Sequence, residues 1–169
     1  MFLKTYVILI VFLFFSCTTK FGNLALPSVF SNNMVLQRET EVSFWGKSSP
    51  NEKIEIKASW GKSSSVIADN NGKWQLKLAT PSAGGPYEVV VNDSKNSIVY
   101  KDVLIGEVWL ASGQSNMQWK LNQCKDCIDN QDEEIENANY NEIRFFNNPA
   151  DLSGTIVNFQ KWKTVNTKA

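Results

Sequence analysis

Polar and apolar residues alternate along much of residues 24–104, which is the pattern of β-strands with one buried face. Turn-forming residues interrupt the alternation at 48–51, 69–72, 81–86 and 92–94. The apolar members of the alternating segments are Val42 and Phe44, then Ile54, Ile56, Ala58 and Trp60, then Trp74, Leu76 and Leu78, and last Tyr87, Val89 and Val91. Short strands at this spacing predict an amino-terminal β-sandwich domain over residues 24–104.

Three tryptophans fall within this part of the chain: Trp45, Trp60 and Trp74. If these three side chains were on the surface, their rings would provide flat apolar faces on which sugars stack. They follow the same alternation as the aliphatic residues, and such an in-phase alternation is typical of side chains that pack in a core. The sequence therefore favours core packing for all three rings.

The pattern changes after the predicted sandwich. Residues 108–111 form an uninterrupted apolar run, which predicts a strand buried on both faces. Residues 129–140 have a weak helical spacing, and residues 142–146 and 156–162 have the pattern of extended segments. We interpret residues 105–169 as the opening β-α-β unit of an α/β domain whose sheet is incomplete in this chain.

Ser115 lies in a polar turn that follows the predicted buried strand. In open α/β sheets, ligands and catalytic groups collect at the carboxyl ends of the strands. A serine held there by the Ser112-Gly113 turn is therefore a candidate nucleophile. The alternative is that Ser115 or Asn116 only caps the helix that follows. Spacing by itself does not choose between these two interpretations.

The sequence around this serine, GEVWLASGQSNMQW at residues 106–119, resembles the nucleophile block of the sialate O-acetylesterase family, carbohydrate esterases of the SGNH hydrolase superfamily. The resemblance continues through residues 26–37, 42–46, 72–74 and 141–146. It implies an SGNH hydrolase-like esterase domain from residue 105 onward and an O-acetylated sugar or glycan as substrate. It also implies that Ser115 is the nucleophile and that its backbone N–H contributes to the oxyanion hole. Gln118 departs from the family, which often has glutamate at this position.

The chain contains no histidine. A serine hydroxyl is a weak nucleophile at neutral pH unless a neighbouring base, usually an imidazole, takes its proton. The resemblance implies that an Asp-x-x-His pair and further oxyanion donors belong to a longer protein. We therefore expect this chain to be an incomplete amino-terminal portion, produced by truncation or gene splitting. It would be inactive alone and would need a carboxyl-terminal portion that is encoded separately.

Two other functions stay open beside the sialate O-acetylesterase-like one. The first is a non-catalytic glycan-binding or structural β-sandwich lipoprotein, in which Ser115 belongs to a remnant. The second stays within the same class of esterase but acts on an acetylated plant polysaccharide. A test of catalysis separates the first alternative from the other functions, because only the esterases need the serine.

The amino terminus has the pattern of an export signal. Lys4 precedes an apolar run at residues 6–15, which is too short for a transmembrane helix of ~20 residues but suits a signal peptide. A small residue before Cys17 fits a lipoprotein cleavage site, so we expect residues 1–16 to be removed and Cys17 to carry lipid. Residues 17–23 would be a tether, and the protein would be exported and membrane-anchored, in the periplasm or at the cell surface. The alternative is an ordinary secretory signal with an incidental cysteine.

The net charge, the cysteines and the acidic residues indicate which partners, metals and disulfides the protein has. The chain has 17 basic and 17 acidic residues, and loss of Lys4 with the signal leaves a net charge of −1, which gives no indication of a nucleic-acid partner. Cys124 and Cys127 fit a local disulfide or two surface thiols better than a redox pair or a zinc site. Acidic residues near residues 129–136 fit a solvated helix face. We expect no metal ion or other cofactor.

Overall fold

The computed structural model of the chain describes residues 23–114, 123, 128–147 and 161–166. These residues form mainly β-strands, with one short helix. In chain order the elements are β1 (Val35–Gln37), β2 (Glu41–Lys47), β3 (Lys53–Ala58), β4 (Ser63–Ile67), β5 (Lys73–Ala79), β6 (Gly84–Asn92), β7 (Ser97–Gly106), α1 (Gln131–Asn137), β8 (Asn139–Phe145) and β9 (Lys163–Asn166). Among the described residues, no helix has the length and apolar character needed to cross a membrane.

The first seven strands form two sheets. One has five strands in the order β1-β7-β6-β3-β4, and the other is the antiparallel pair of β2 and β5. Neighbours in the larger sheet are antiparallel, except that β1 runs parallel to β7. This parallel pair places the carboxyl ends of β1 and β7 side by side.

Both sheets contribute side chains to a single buried cluster. Phe44 of β2, Ile54 and Ile56 of β3, and Val89 and Val91 of β6 are each completely buried. They occupy alternate positions in their strands, while the residues between them are more exposed. The prediction that this part of the chain is built of strands with one buried face is confirmed.

The core interpretation is wrong for one of the three tryptophans. Trp74 is 4% exposed. Trp60 lies in the turn after β3 and not in the strand as predicted, but it is partly buried and its Nε1 donates to the carbonyl of Ala79 at 3.0 Å. Trp45, however, is 43% exposed. It directly follows the buried Phe44 in β2, and successive side chains of a strand point to opposite faces, so the two rings cannot both enter the core.

The buried strand predicted at residues 108–111 is also absent. The last strand of the larger sheet ends at Gly106, and the side chains of Trp109 and Leu110 are 86% and 95% exposed. The strand stops where its parallel neighbour stops, because Gly106 pairs with Gln37, the last residue of β1. Within the described parts of the chain, no strand lies beside residues 107–111 to continue the ladder.

The helix predicted within residues 129–140 is present as α1, and the extended segment predicted at residues 142–146 overlaps β8. The predicted β-α-β arrangement is not seen in the described residues, because residues 108–111 form no strand before α1 and β8 pairs with β9 in antiparallel orientation. Residues 156–160 lie outside the described part. The predicted boundary at residue 104 stays a prediction.

Candidate functional site

The segment that leads toward Ser115 starts at the shared edge of β1 and β7. Leu36 pairs with Ile105, and Gln37 pairs with Gly106. The backbone N–H of Arg38 donates to the carbonyl of Gly106 at 2.9 Å, which extends the pairing by one residue. Residues 107–114 therefore leave the sheet at a fixed place, next to the residues that end β1.

Two side chains at the end of β1 hold the first residue of this segment. The Glu107 carboxylate accepts hydrogen bonds from Gln37 Nε2 at 2.9 Å and from Arg38 Nε at 2.7 Å. The other end of the Gln37 amide accepts the backbone N–H of Val108 at 2.8 Å. Gln37 thereby uses both its donor and its acceptor on two consecutive residues of the segment. We call these contacts of Gln37 and Arg38 with residues 107–108 the Glu107 clamp.

The clamp also changes the electrostatics of Glu107. Hydrogen bonds from Gln37 and from Arg38 favour the ionised carboxylate and lower the pKa of Glu107 below its usual value. Arg38 adds the attraction of a cation, with its Nε only 2.7 Å from Oε1. Both groups are about half exposed, so solvent screens the ion pair and its role is positional more than stabilising.

Beyond the clamp, the segment lines a cavity of about 940 Å³. One wall is made by the start of β6 and the end of β7, and another is made by β8 and the residues just after it. The segment contributes residues 107–112, including the exposed ring of Trp109 and the exposed aliphatic side chains of Val108 and Leu110. A cavity with mainly apolar walls and a few charged groups is typical of a small-molecule site.

Arg144 connects the wall formed by β8 to the larger sheet. Its side chain is only 5% exposed, and its Nη2 lies 2.9 Å from Oδ1 of Asp102. Its Nη1 also donates to the backbone carbonyl of Asp102. Asp102 has a positive φ of 56° and lies at an irregularity in the pairing of β6 with β7. This β-bulge directs an acidic side chain toward Arg144.

A second contact fixes the chain just before β9. Trp162 Nε1 donates to the backbone carbonyl of Val29 at 2.8 Å, and the Trp162 ring lies 5.6 Å from the ring of Phe146. Trp162 and Phe146 both line the cavity. The part of the chain after residue 104 therefore contacts the preceding part at two places, through Arg144 with Asp102 of β7 and through Trp162 with Val29.

The predicted site residues themselves lie outside the described residues. Ser115, Cys17, Cys124 and Cys127 all belong to this group, so their assigned roles stay predictions. The described residues contain no cluster of three or more His, Cys, Asp or Glu side chains that could hold a metal ion.

Sequence reasoning missed the residues that position the segment. Gln37, Glu107 and Arg144 all fall within the stretches that carry the family resemblance, and this was the signal that could have identified them. Arg38 and Asp102 carry no such signal. Their importance depends on contacts between residues that are 69 and 42 positions apart in the chain.

No protein-family model matches the chain. Among curated proteins, the chain is 32% identical over 130 residues to the sialate O-acetylesterase of Mus musculus and 33% identical over 128 residues to that of Homo sapiens. These matches cover 70% and 69% of this chain, but only 23% and 24% of the relatives. Among solved structures, a carbohydrate acetylesterase from Xanthomonas citri matches with a TM-score of 0.75 and 34% identity, over 86% of this chain and 33% of that one.

The described fold is thus similar to part of a carbohydrate acetylesterase. The resemblance to the sialate O-acetylesterase family, inferred from the serine block and its neighbours, is confirmed by relatives that carry this name. The chain spans about a quarter of the length of these curated relatives.

The Glu107 clamp gives a prediction about ionisation. In a carbon-13 NMR titration of the side-chain carboxyl groups, Glu107 should titrate below the usual glutamate value. Arg38→Gln, which keeps a hydrogen-bonding chain but removes the charge, should raise the pKa of Glu107. Since the folded-state pKa is lowered, the stabilisation by the clamp is present above the usual pKa and is lost as the pH falls through the folded value.

Lys77→Gln is the matched control for this titration, because it removes a different strand-end ion pair, to Glu41 at 3.7 Å. It should leave the Glu107 titration unchanged. A Glu107 that titrates at its ordinary value in the unaltered protein would show that the clamp is not formed in solution.

Proposed function

We propose that this chain is the amino-terminal portion of a carbohydrate esterase that removes O-acetyl groups from sugars, with Ser115 as the nucleophile. The observation that carries the proposal is the match to a carbohydrate acetylesterase over 86% of the chain at a TM-score of 0.75. The curated relatives are named for the removal of acetyl groups from sialate, which supports the same class of substrate. Since the matched part covers only 23–24% of these relatives, the proposed activity would also use residues of the enzyme that this chain does not contain.

The proposed reaction proceeds through an acyl-enzyme. The Ser115 hydroxyl attacks the acetyl carbonyl, its proton passes to a base, and the sugar oxygen leaves as a hydroxyl group. The backbone N–H of Ser115 stabilises the negative charge on the carbonyl oxygen during attack. Water then hydrolyses the acetyl-serine and releases acetate. The base and the other oxyanion donors come from the remaining part of the enzyme, since the chain has no histidine.

Within this proposal, the described residues position the nucleophile. The Glu107 clamp fixes the start of the segment eight residues before Ser115. Holding a nucleophile in a defined place is a large part of catalysis, because an intramolecular geometry removes the entropy of bringing the groups together. Gln37 and Arg38 would therefore be positioning residues, without contact to the substrate.

We further propose that the two sheets over residues 24–104 form the predicted β-sandwich domain and that residue 105 begins an SGNH hydrolase-like domain. The exposure of Val108, Trp109 and Leu110 supports the second part. Contiguous exposed apolar side chains are typical of a surface that another polypeptide segment covers. The carboxyl-terminal portion of the esterase would cover them.

Activity assays test this proposal directly. The chain alone should hydrolyse p-nitrophenyl acetate at a rate near background, because general acid–base assistance contributes ~10²–10⁴-fold and one oxyanion donor about 10²–10³-fold. Fused to, or co-expressed with, the carboxyl-terminal portion of a relative, it should deacetylate O-acetylated sialic acid. Ser115→Ala should abolish this activity, whereas Ser65→Ala, on the exposed side of β4, should not change it.

Three results would separate the alternatives. Rapid hydrolysis by this chain alone would contradict the proposal that the catalytic base comes from another part of the enzyme. A complete chain that binds glycan without hydrolysing it would favour the non-catalytic alternative. A preference for acetylated xylan over acetylated sialic acid would favour the plant-polysaccharide alternative.

We also propose that the protein is exported and anchored through lipid on Cys17. Replacement of this residue by Cys17→Ala, or treatment with globomycin, should leave the uncleaved precursor, since the thiol is the lipid acceptor and lipoprotein signal peptidase acts after lipidation. Immunoblots of fractionated cells would show the larger form. Normal processing and unchanged membrane partitioning of Cys17→Ala would contradict the proposal and favour an ordinary secretory signal.

A further inference from the structure

The outer face of the smaller sheet carries a row of polar and aromatic side chains beside a groove. Trp45 of β2 lies opposite Gln75 of β5, and Lys47 lies opposite Lys73. Directly opposite residues in an antiparallel pair point to the same side of the sheet, and so do residues two apart in one strand. These four side chains therefore share one face, and all four line a groove of about 660 Å³.

Trp45 gives the groove an accessible aromatic wall. Its side chain is 43% exposed. The ring is also held in place: the buried ring of Phe30 lies 4.7 Å away in an edge-to-face arrangement. A rigid indole that presents apolar surface to solvent is suited to stack on the apolar face of a pyranose ring.

The pair of Lys47 and Lys73 is unfavourable for the protein by itself. Like charges directly opposite each other in an antiparallel sheet destabilise it. Within the described residues, no carboxylate forms an ion pair with either ammonium group. Asp69 also lines the groove, but its Oδ1 accepts the backbone N–H groups of Asn71 and Lys73 and so serves the turn before β5. Departures from favourable pairing of this kind are concentrated at functional sites.

A third feature lies behind the same face. Trp74 is 4% exposed and lines the groove, and its Nε1 has no hydrogen-bond partner among the described residues. The ring packs so close to Gly46 that a Cβ there would lie 2.7 Å from its Cζ2. Trp74 points to the core side of β5, opposite to Lys73 and Gln75, so its ring is a buried support behind the groove and not a contact for a ligand on the outer face.

We propose that this groove binds an acidic saccharide. The pyranose ring would stack on Trp45, the carboxylate would lie between the ammonium groups of Lys47 and Lys73, and the Gln75 amide would bond a sugar hydroxyl. Two cations facing one anion form charge-assisted hydrogen bonds, and this removes the repulsion that the free protein bears. The groove includes no residue of the 107–114 segment, so it is a binding site separate from the proposed esterase centre.

The experiment uses the full chain and a matched pair of probes, 3′-sialyllactose and lactose, which differ by the acidic sugar. In a nitrogen-15 NMR titration, sialyllactose should shift the indole N–H signal of Trp45, and lactose should bind at least tenfold more weakly. Trp45→Ala should weaken sialyllactose binding at least tenfold. Added salt should weaken it as well, because the cations are exposed.

A second variant separates binding from folding. Lys47→Gln removes the like-charge pair, so it should raise the midpoint of urea unfolding while it weakens sialyllactose binding. Lys62→Gln, which removes an exposed ammonium in the turn between β3 and β4, is the control and should change neither quantity. A lower unfolding midpoint in Lys47→Gln would show that the two ammonium groups do not oppose each other.

Absence of binding at millimolar sialyllactose, equal binding of lactose, or unchanged binding by Trp45→Ala would each overturn the proposal. None of these results bears on catalysis, which depends on Ser115 and is measured with p-nitrophenyl acetate. Failure of one proposal is therefore distinguishable from failure of the other.

Discussion

The parallel pairing of β1 with β7 is the constraint on which the candidate site depends. All other pairs among the described strands are antiparallel, so the carboxyl end of one strand lies beside the amino end of its neighbour. Only here do two strands end together at one edge, which brings Gln37 and Arg38 next to the residue that follows Gly106. Without this pairing, Gln37 and Arg38 would not be held next to residues 107–108. The start of the segment that leads to Ser115 would then have no fixed position.

A partly buried ion pair between Arg144 and Asp102 then connects the opposite wall of the cavity to β7. Breaking a buried pair by removing one partner typically costs about 3–5 kcal/mol, because the other charge is left without compensation. Arg144 is nearly fully buried, while Asp102 is 45% exposed, so the cost here would be lower than for two desolvated charges. The pair joins β8 to β7 beside the cavity that residues 107–112 also line.

The sequence predicted strands whose buried positions carry large apolar residues. It missed β4, whose alternation of burial is carried mainly by serines, and β7, where local geometry breaks the alternation. β3, β5 and β6 have their apolar residues two apart, and all three were predicted. In β7, Tyr100 and Val103 are both buried although they are three apart. The bulge at Asp102 inserts an extra residue between them, which removes the period of two from the sequence.

The sequence predicted only part of the candidate site, and the reason is related. The family resemblance identified the serine block, because its residues are adjacent in sequence. The strand expected at residues 108–111 was inferred from an apolar run alone, and such a run is buried only if neighbouring strands cover it. The Glu107 clamp and the Arg144–Asp102 pair join residues far apart in the chain, and pairwise contacts of this kind have no periodic signal.

Hydrogen exchange at the backbone amide of Val108 tests most directly whether the sheet edge anchors the serine segment. This N–H donates to Gln37 Oε1, so it should exchange more slowly than an unstructured amide. Gln37→Met keeps the length of the side chain but removes its acceptor, and should abolish the protection. The Leu104 amide, which donates to the Met34 carbonyl within the same pair of strands, should stay protected in both proteins. Exchange of Val108 at the unstructured rate in the unaltered protein would contradict the account.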